Sequence, residues 1–360
     1  MTAYRDKIIL LPQNRVWRTY PGGAILDRLA GRENPTDSHY PEDWIASITE
    51  ARNPGEHPAG EGISQVLAGG QRWNLRELIT SDPEYFLGRE HLARHGANPM
   101  LLVKFLDSAI RLHLQAHPTR EFARARLGSP SGKTEAYYVL AVREDITEPY
   151  IYMGFQRPPS REALRTLIEK QDIPALEACF DKIPVRPGDT ILVPGGWPHA
   201  LGEGVFLIEI QEPSDLVVRF EFERGGYRLP ESARFMGRDI DLALDIIDLT
   251  AHPQSEIDEK CRCRPRRLRD FGEGSWQEEL IGPQQTDCFR VLRTHLRQPV
   301  EKHEGCFHIL IVTHGSCTVA HGDERYHLKT YDKVLVPAGL GPIRIEPETQ
   351  TEIIECLPPL

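Results

Sequence analysis

Short runs of apolar residues, alternating or unbroken and each closed by proline, glycine or a charged residue, recur through the chain. Residues 101–105, 111–116, 137–142, 190–193, 205–210 and 216–222 are of this kind. Their β-branched and aromatic content predicts strands, and many short strands between turns predict an antiparallel sandwich or barrel rather than a parallel α/β sheet. Helical periodicity is confined to three stretches. One covers 75–97, with Asn74 in capping position and an interruption at Pro83; one covers 160–180, opened by Ser160; one covers 239–249. They are expected as helical insertions over the mouth of a mainly β fold.

The pattern also repeats. Asp189-Thr190-Ile191-Leu192-Val193-Pro194-Gly195-Gly196 aligns with Asp332-Lys333-Val334-Leu335-Val336-Pro337-Ala338-Gly339 at a constant offset of 143. Each describes a turn, a buried strand and a second turn, so two copies of one β module are expected. The copies then diverge, because His199 in the first falls opposite Pro342 in the second. The division expected is a metal-binding module over 1–270 and a second module over 271–360 without metal ligands.

Candidate chemistry gathers in the first copy. On a strand through His113-Leu114-Gln115-Ala116-His117, side chains 113, 115 and 117 share one face, and Pro118 ends the pairing. Glu135 begins the next apolar run, and His199 follows a bend rich in glycine and proline. Gln115, His117, Glu135 and His199 together offer two imidazoles, a carboxylate and an amide oxygen, a set suited to a divalent ion such as Zn²⁺. Each also has a plainer reading. Gln115 and His117 make a hydrogen-bonded polar pair, Glu135 an ion pair with Lys133, and His199 a turn residue.

Charge and composition narrow the function classes. The net charge of -10 opposes a nucleic-acid partner. The one basic run, Arg262 to Arg269, has no interleaved aromatics and is expected as a solvated surface segment. No stretch has the length or apolarity of a membrane span or a signal peptide, so a cytoplasmic protein is expected. The seven cysteines are odd in number and scattered, which predicts reduced thiols.

Several motifs in one order resemble type I phosphomannose isomerases. They are Leu101-Leu102-Val103-Lys104-Phe105-Leu106-Asp107, Gln115-Ala116-His117-Pro118, Gly132-Lys133-Thr134-Glu135, Pro187-Gly188-Asp189 running to Pro198-His199-Ala200, and Glu209-Ile210-Gln211-Glu212-Pro213-Ser214-Asp215 continuing to Arg219. Gly22-Gly23 and Glu42-Asp43-Trp44 fit the same pattern. The resemblance covers about residues 15–227 and continues more weakly beyond. It implies a cupin jelly roll (a double-stranded β-helix) followed by a second cupin-like module. It also implies metal ligation by Gln115, His117, Glu135 and His199, and interconversion of mannose 6-phosphate and fructose 6-phosphate. By position, Arg219 matches a catalytic arginine, and Glu42, Lys104 and Glu209 match pocket residues.

Proton transfer between C1 and C2 through an enediol suits these groups. Arg219 serves as an electrostatic stabiliser because it holds its proton, while Glu209 and Lys104 are the candidates for moving one. Lys133 and His113 complete the expected substrate contacts. His113 stands where the family usually has serine, which opens the pocket to a different or unphosphorylated sugar. A non-catalytic sugar-binding protein of two cupin modules and an iron-dependent cupin oxygenase compete with the isomerase. A salt bridge between Glu209 and Arg219, and a surface position for Lys104, are the plain readings of those residues.

Overall fold

In the computed structural model, which describes residues 4–360, the strands form antiparallel sheets stacked in layers. One sheet runs in the order Thr190–Val193, Glu135–Val142, Val205–Gln211, Leu102–Asp107, Glu42–Ile45 and Arg15–Val16. It faces a five-stranded sheet ordered Ile183–Pro184, Tyr150–Met153, His199–Leu201, Gln115–Ala116 and Val218–Arg219. Leu106, Tyr137, Val139, Met153, Ile191 and Leu207 fill the space between the two.

The C-terminal part repeats the arrangement. Lys333–Val336, His308–His314, Thr351–Leu357, Arg290–Leu296, Ser275–Ile281 and Arg266–Gly272 follow in the corresponding order. They face a four-stranded sheet ordered Val300–Lys302, Ile343–Pro347, Ser316–His321 and Glu324–Lys329 across Leu310, Val312, Val319, Ile345 and Ile353. The register repeats as well: Val193 pairs with Glu135, and Val336 with His308. The sequence repeat at offset 143 therefore marks corresponding strands.

The two larger sheets stack back to back. Val103, Phe105, Ala136, Phe206 and Ile208 pack against Ile309, Ile311, Leu335 and Ile354. A strand covered on both faces reads as an almost continuous apolar run, which explains Val205–Gln211. Its even positions face the other module, and its odd positions, Glu209 and Gln211 among them, face the first interior. The N-terminal segment also crosses over. Ile9–Leu10 and the hairpin Gln65–Ala68 with Gln71–Asn74 extend the second sheet beyond Lys333–Val336 to nine strands. At the other end, Arg266–Gly272 runs across the boundary expected at 270.

A buried ion pair ties the layers. Lys333 Nζ lies 2.8 Å from Asp43 Oδ2, and neither side chain is more than 6% exposed. Lys333→Met strands a carboxylate in the interior and is expected to cost about 3–5 kcal/mol of unfolding free energy. Denaturant titration measures this, and a loss below about 1 kcal/mol contradicts it.

The helical stretches form but do not lie where expected. The first is three short helices, Leu75–Ser81, Pro83–Leu87 and Arg89–His95, with the Asn74 side chain accepting from Glu77 N and proline opening the second. Arg161–Lys170 and Ile240–Ile246 are capped by Ser160 and Asp239. Leu164, Ile168 and Leu244 cover Ala116, Ala200 and Val218 on the outer face of the five-stranded sheet. They do not roof the barrel mouth. That outer face is apolar and needs burial, whereas the mouth is polar and does not.

The basic run forms an exposed edge strand. Arg266 pairs with Glu279 at 2.7 Å, Arg269 with Glu304 at 3.2 Å, and Arg267 stacks over Trp276. Charged edges of this kind discourage pairing with other chains. All seven cysteines are free thiols. No helix among the described residues is long and apolar enough to cross a membrane.

Candidate metal centre

Two close approaches build the centre. A Cβ on Gly132 would lie 2.5 Å from the carbonyl carbon of Thr119. Only glycine therefore lets this segment pass the end of strand Gln115–Ala116, where Lys133 N donates to Pro118 O at 3.0 Å. Gly196 adopts φ +88°, a conformation natural to glycine, and its N–H donates to His117 O at 2.6 Å. With both turns in place, Glu135 opens its strand beside His117, and His199 pairs directly with Gln115.

The four side chains meet. His199 Nε2 lies 3.2 Å from Glu135 Oε1, His117 Nε2 lies 3.4 Å from Glu135 Oε2, and the Gln115 amide lies 3.5 Å from His199 Nε2. One donor atom each from His117, Glu135 and His199 falls within 4.8 Å of the others. His117 and His199 turn their Nδ1 atoms to the carbonyls of Leu216, at 2.8 Å, and Trp197, at 2.9 Å. Those bonds fix the tautomer that aims each Nε2 lone pair at the common point. Burial, with Lys133 nearby, pushes the His117 pKa well below the usual imidazole range and keeps it neutral. Glu135 Oε2 is buried without a hydrogen bond. Its ion-pair partner is Lys133 Nζ at 2.7 Å, which also lies 2.9 Å from His117 Nε2. Two imidazole lone pairs, a carboxylate and an amide that presents Oε1 on a half-turn form a donor set that fits a divalent cation.

A band of buried charge continues inward. Lys104, only 1% exposed, forms an ion pair with Glu209 Oε2 at 2.6 Å and faces Glu42 at 3.6 Å. Burial raises the Glu209 pKa, with Lys104 and Lys133 opposing. Burial works against the charged form of Lys104, but Glu209 and Glu42 prevail and its pKa rises. Glu42 also accepts from Tyr20 at 2.5 Å and from Trp44 Nε1 at 2.6 Å. Arg18 makes a paired contact with Asp215 at 2.9 and 3.0 Å. Lys104 is thus an interior residue. Glu209 finds its partner in Lys104 across the strand pair rather than in Arg219.

Arg219 and His113 occupy the outer part. Arg219 donates Nη1 to the Ala233 carbonyl at 2.8 Å and has no carboxylate partner among the described residues. Burial, with Arg18 adding to it, pushes its pKa down to about 10. His113 is 2% exposed, and its Nε2 has no hydrogen-bond partner. Burial, followed by Arg219, pushes its pKa down to about 3, so the imidazole is neutral. Both residues line the narrow inner cavity with Gln115, His117, Lys133 and Glu209. Asp215, Val217 and Arg219 line both it and an outer chamber of about 230 Å³. A separate cavity of about 680 Å³ beside Phe222 and Phe235 holds none of these residues.

Every candidate residue is therefore gathered at one end of the space between the first two facing sheets. Sequence reasoning missed Arg18, Tyr20 and Tyr137. Tyr137 donates to Glu135 Oε1 at 2.5 Å. It stands two residues after Glu135 on the same strand, so the two-residue period that grouped Gln115 with His117 also pointed to it.

No family model matches the chain. Mannose-6-phosphate isomerase ManA of Bacillus subtilis is 27% identical over 252 residues, which is 68% of this chain and 71% of that protein. Mannose-6-phosphate isomerase of Streptococcus mutans is 34% identical over 217 residues, 60% of this chain and 61% of the relative. The crystal structure of mannose 6-phosphate isomerase from Bacillus subtilis superposes with a TM-score of 0.73 at 22% identity, covering 97% of this chain and 99% of the other. The chain is thus similar to mannose-6-phosphate isomerases in sequence over some two thirds of its length, and to a solved one in fold over nearly all of it.

Proposed function

We propose that the protein is a metal-dependent aldose-ketose isomerase that interconverts mannose 6-phosphate and fructose 6-phosphate. The carrying observation is the meeting of His117, Glu135 and His199, with Gln115 beside them, at the end of a buried band of charge. Zn²⁺ is the ion this donor set suits best. The facing sheets around it are read as a cupin jelly roll and their C-terminal counterpart as a second, with the modules divided near 270. A cytoplasmic location fits a sugar-phosphate substrate.

A divalent ion held by Gln115, His117, Glu135 and His199 would polarise the sugar oxygens and stabilise negative charge developing on them. The remaining steps fall to the chain. Glu209, whose carboxylate burial makes more basic, takes the C2 proton of the open-chain aldose and returns it to C1, while the C2 hydroxyl proton passes to the C1 oxygen, so that an enediol links aldose and ketose. Lys104 holds Glu209 in place and keeps its own proton. Arg219 offers a buried positive charge to the oxyanion or the phosphate.

Charge balance favours a phosphorylated sugar. Arg18, Lys104, Lys133 and Arg219 face Glu42, Glu135, Glu209 and Asp215, all buried. Fully ionised, these eight groups cancel. A divalent ion leaves the site doubly positive, and a phosphate dianion restores neutrality. With two charge-assisted hydrogen bonds at stake, turnover of mannose 6-phosphate is expected to exceed that of free mannose by at least about a hundredfold in kcat/KM. A coupled assay for fructose 6-phosphate decides it. Equal turnover of the free sugar removes the phosphate from the assignment, and His113, with no bond of its own, becomes the contact that favours another sugar. No turnover of either leaves a non-catalytic sugar-binding protein. An iron-dependent oxygenase is disfavoured by the amide in the donor set and by the Lys104–Glu209 pair.

Tyr137 is read as the residue that orients Glu135. Its hydroxyl engages Oε1 and leaves Oε2 for the ion. Tyr137→Phe is expected to weaken metal binding about 10–100-fold, measured by Co²⁺ titration against a competing chelator. An unchanged affinity contradicts the role.

A further inference from the structure

The interior of the second module also holds charge, which the isomerase reading does not use. Lys302 Nζ lies 2.5 and 2.6 Å from the two oxygens of Glu355 and 3.0 Å from Glu304 Oε1. Their side chains are between 0 and 4% exposed. Thr294 donates to Glu355 at 2.9 Å, and Gln277 donates to Glu304 at 3.2 Å. His308 is 2% exposed; its Nε2 has no hydrogen-bond partner and ends 3.9 Å from Glu355 Oε2.

Strand register gives these residues their counterparts. Glu135 and His308 each open a strand and pair with Val193 and Val336, the positions matched by the sequence repeat. Two residues further on, Tyr137 pairs with Glu209 and Leu310 pairs with Glu355. His308 thus stands where the first module has Glu135, and Glu355 where it has Glu209. Lys302 lies on Val300–Lys302, the strand that corresponds in sheet order to Gln115–Ala116. A carboxylate and an imidazole therefore point into the interior of the second module at the level of the metal centre, and an ammonium pairs with the carboxylate.

We propose that Lys302 supplies, as a fixed ammonium, the positive charge that a divalent ion supplies in the first module, so that the second barrel is a cation site closed by its own lysine. The comparison rests on the metal reading of the first module, but the charge relation within the second does not. A lysine ammonium is a compact point charge with three donors. Here it reaches both oxygens of Glu355 and one of Glu304, while Arg269 covers Glu304 from outside at 3.2 Å. Without it, two buried carboxylates share an interior with an imidazole whose Nδ1 faces the Cys306 carbonyl at 3.3 Å and whose Nε2 is without a partner, a donor set that a divalent cation satisfies.

The test counts ions in the full chain purified with Co²⁺, by atomic emission. The unaltered chain is expected to hold one ion and Lys302→Met two, with thermal stability that falls on chelation and returns with Co²⁺. Lys302→Met/Glu355→Gln removes the charge together with its partner and is expected to fold with one ion. The proposal is overturned if Lys302→Met folds and holds no more ions than the unaltered chain, or if neither Co²⁺ nor the second substitution restores its fold. Zero ions in the unaltered chain and one in Lys302→Met sink the first-module reading while leaving this one standing.

Discussion

His199→Ala is expected to release the metal and to lower kcat/KM for mannose 6-phosphate at least about a thousandfold, roughly 4 kcal/mol of transition-state stabilisation. The imidazole is held by the Trp197 carbonyl so that its Nε2 faces Glu135 at 3.2 Å. Removing it takes one donor of the set and leaves the Gln115 amide without its neighbour. The fold should survive, because His199 lies in a short strand held by backbone pairing to Tyr150–Met153 and Gln115–Ala116. Metal content and circular dichroism separate the two effects. A variant that keeps its ion, or keeps its activity without one, removes His199 from the ligand set.

The second large effect is at Glu209. Glu209→Gln retains shape and loses the base, and kcat is expected to fall about 10²–10⁴-fold with a much smaller change in KM. The sign with pH follows from the direction of its shift. Burial raises the Glu209 pKa, so the carboxylate is lost to protonation at a higher pH than an ordinary glutamate, and activity falls as pH drops through that value. The acid limb of the kcat/KM profile should therefore disappear in the variant. Lys104→Met is expected to move that limb rather than abolish it, because Lys104 opposes the upward shift. A Glu209→Gln enzyme within severalfold of the original, with its acid limb intact, assigns the base elsewhere.

Part of the candidate metal centre was legible because strands have a two-residue period. That period put Gln115 and His117 on one face. The glycine-rich turns at Gly132 and Gly196, needed for close backbone approach, flank Glu135 and His199. What the sequence hid depends on register between distant segments. Glu209 looked like a partner for Arg219, ten residues on, but the antiparallel register sets it opposite Lys104. Arg18 and Tyr20 lie in a segment without strand periodicity, and their role comes from contacts with Asp215 and Glu42. The joining of Ile9–Leu10 to the C-terminal sheet is likewise a pairing of segments more than 300 residues apart, to which local pattern is blind. The strand expected over 111–116 is regular only at Gln115–Ala116, since Arg111 turns aside to bind Glu221 at 2.6 and 2.8 Å.

The most direct test is isomerase activity on mannose 6-phosphate in protein stripped with a chelator and titrated with Zn²⁺. The account predicts activity at background before addition, rising in proportion to bound ion and reaching its plateau at one equivalent per chain. Full turnover in the stripped protein, or none at any loading, contradicts it.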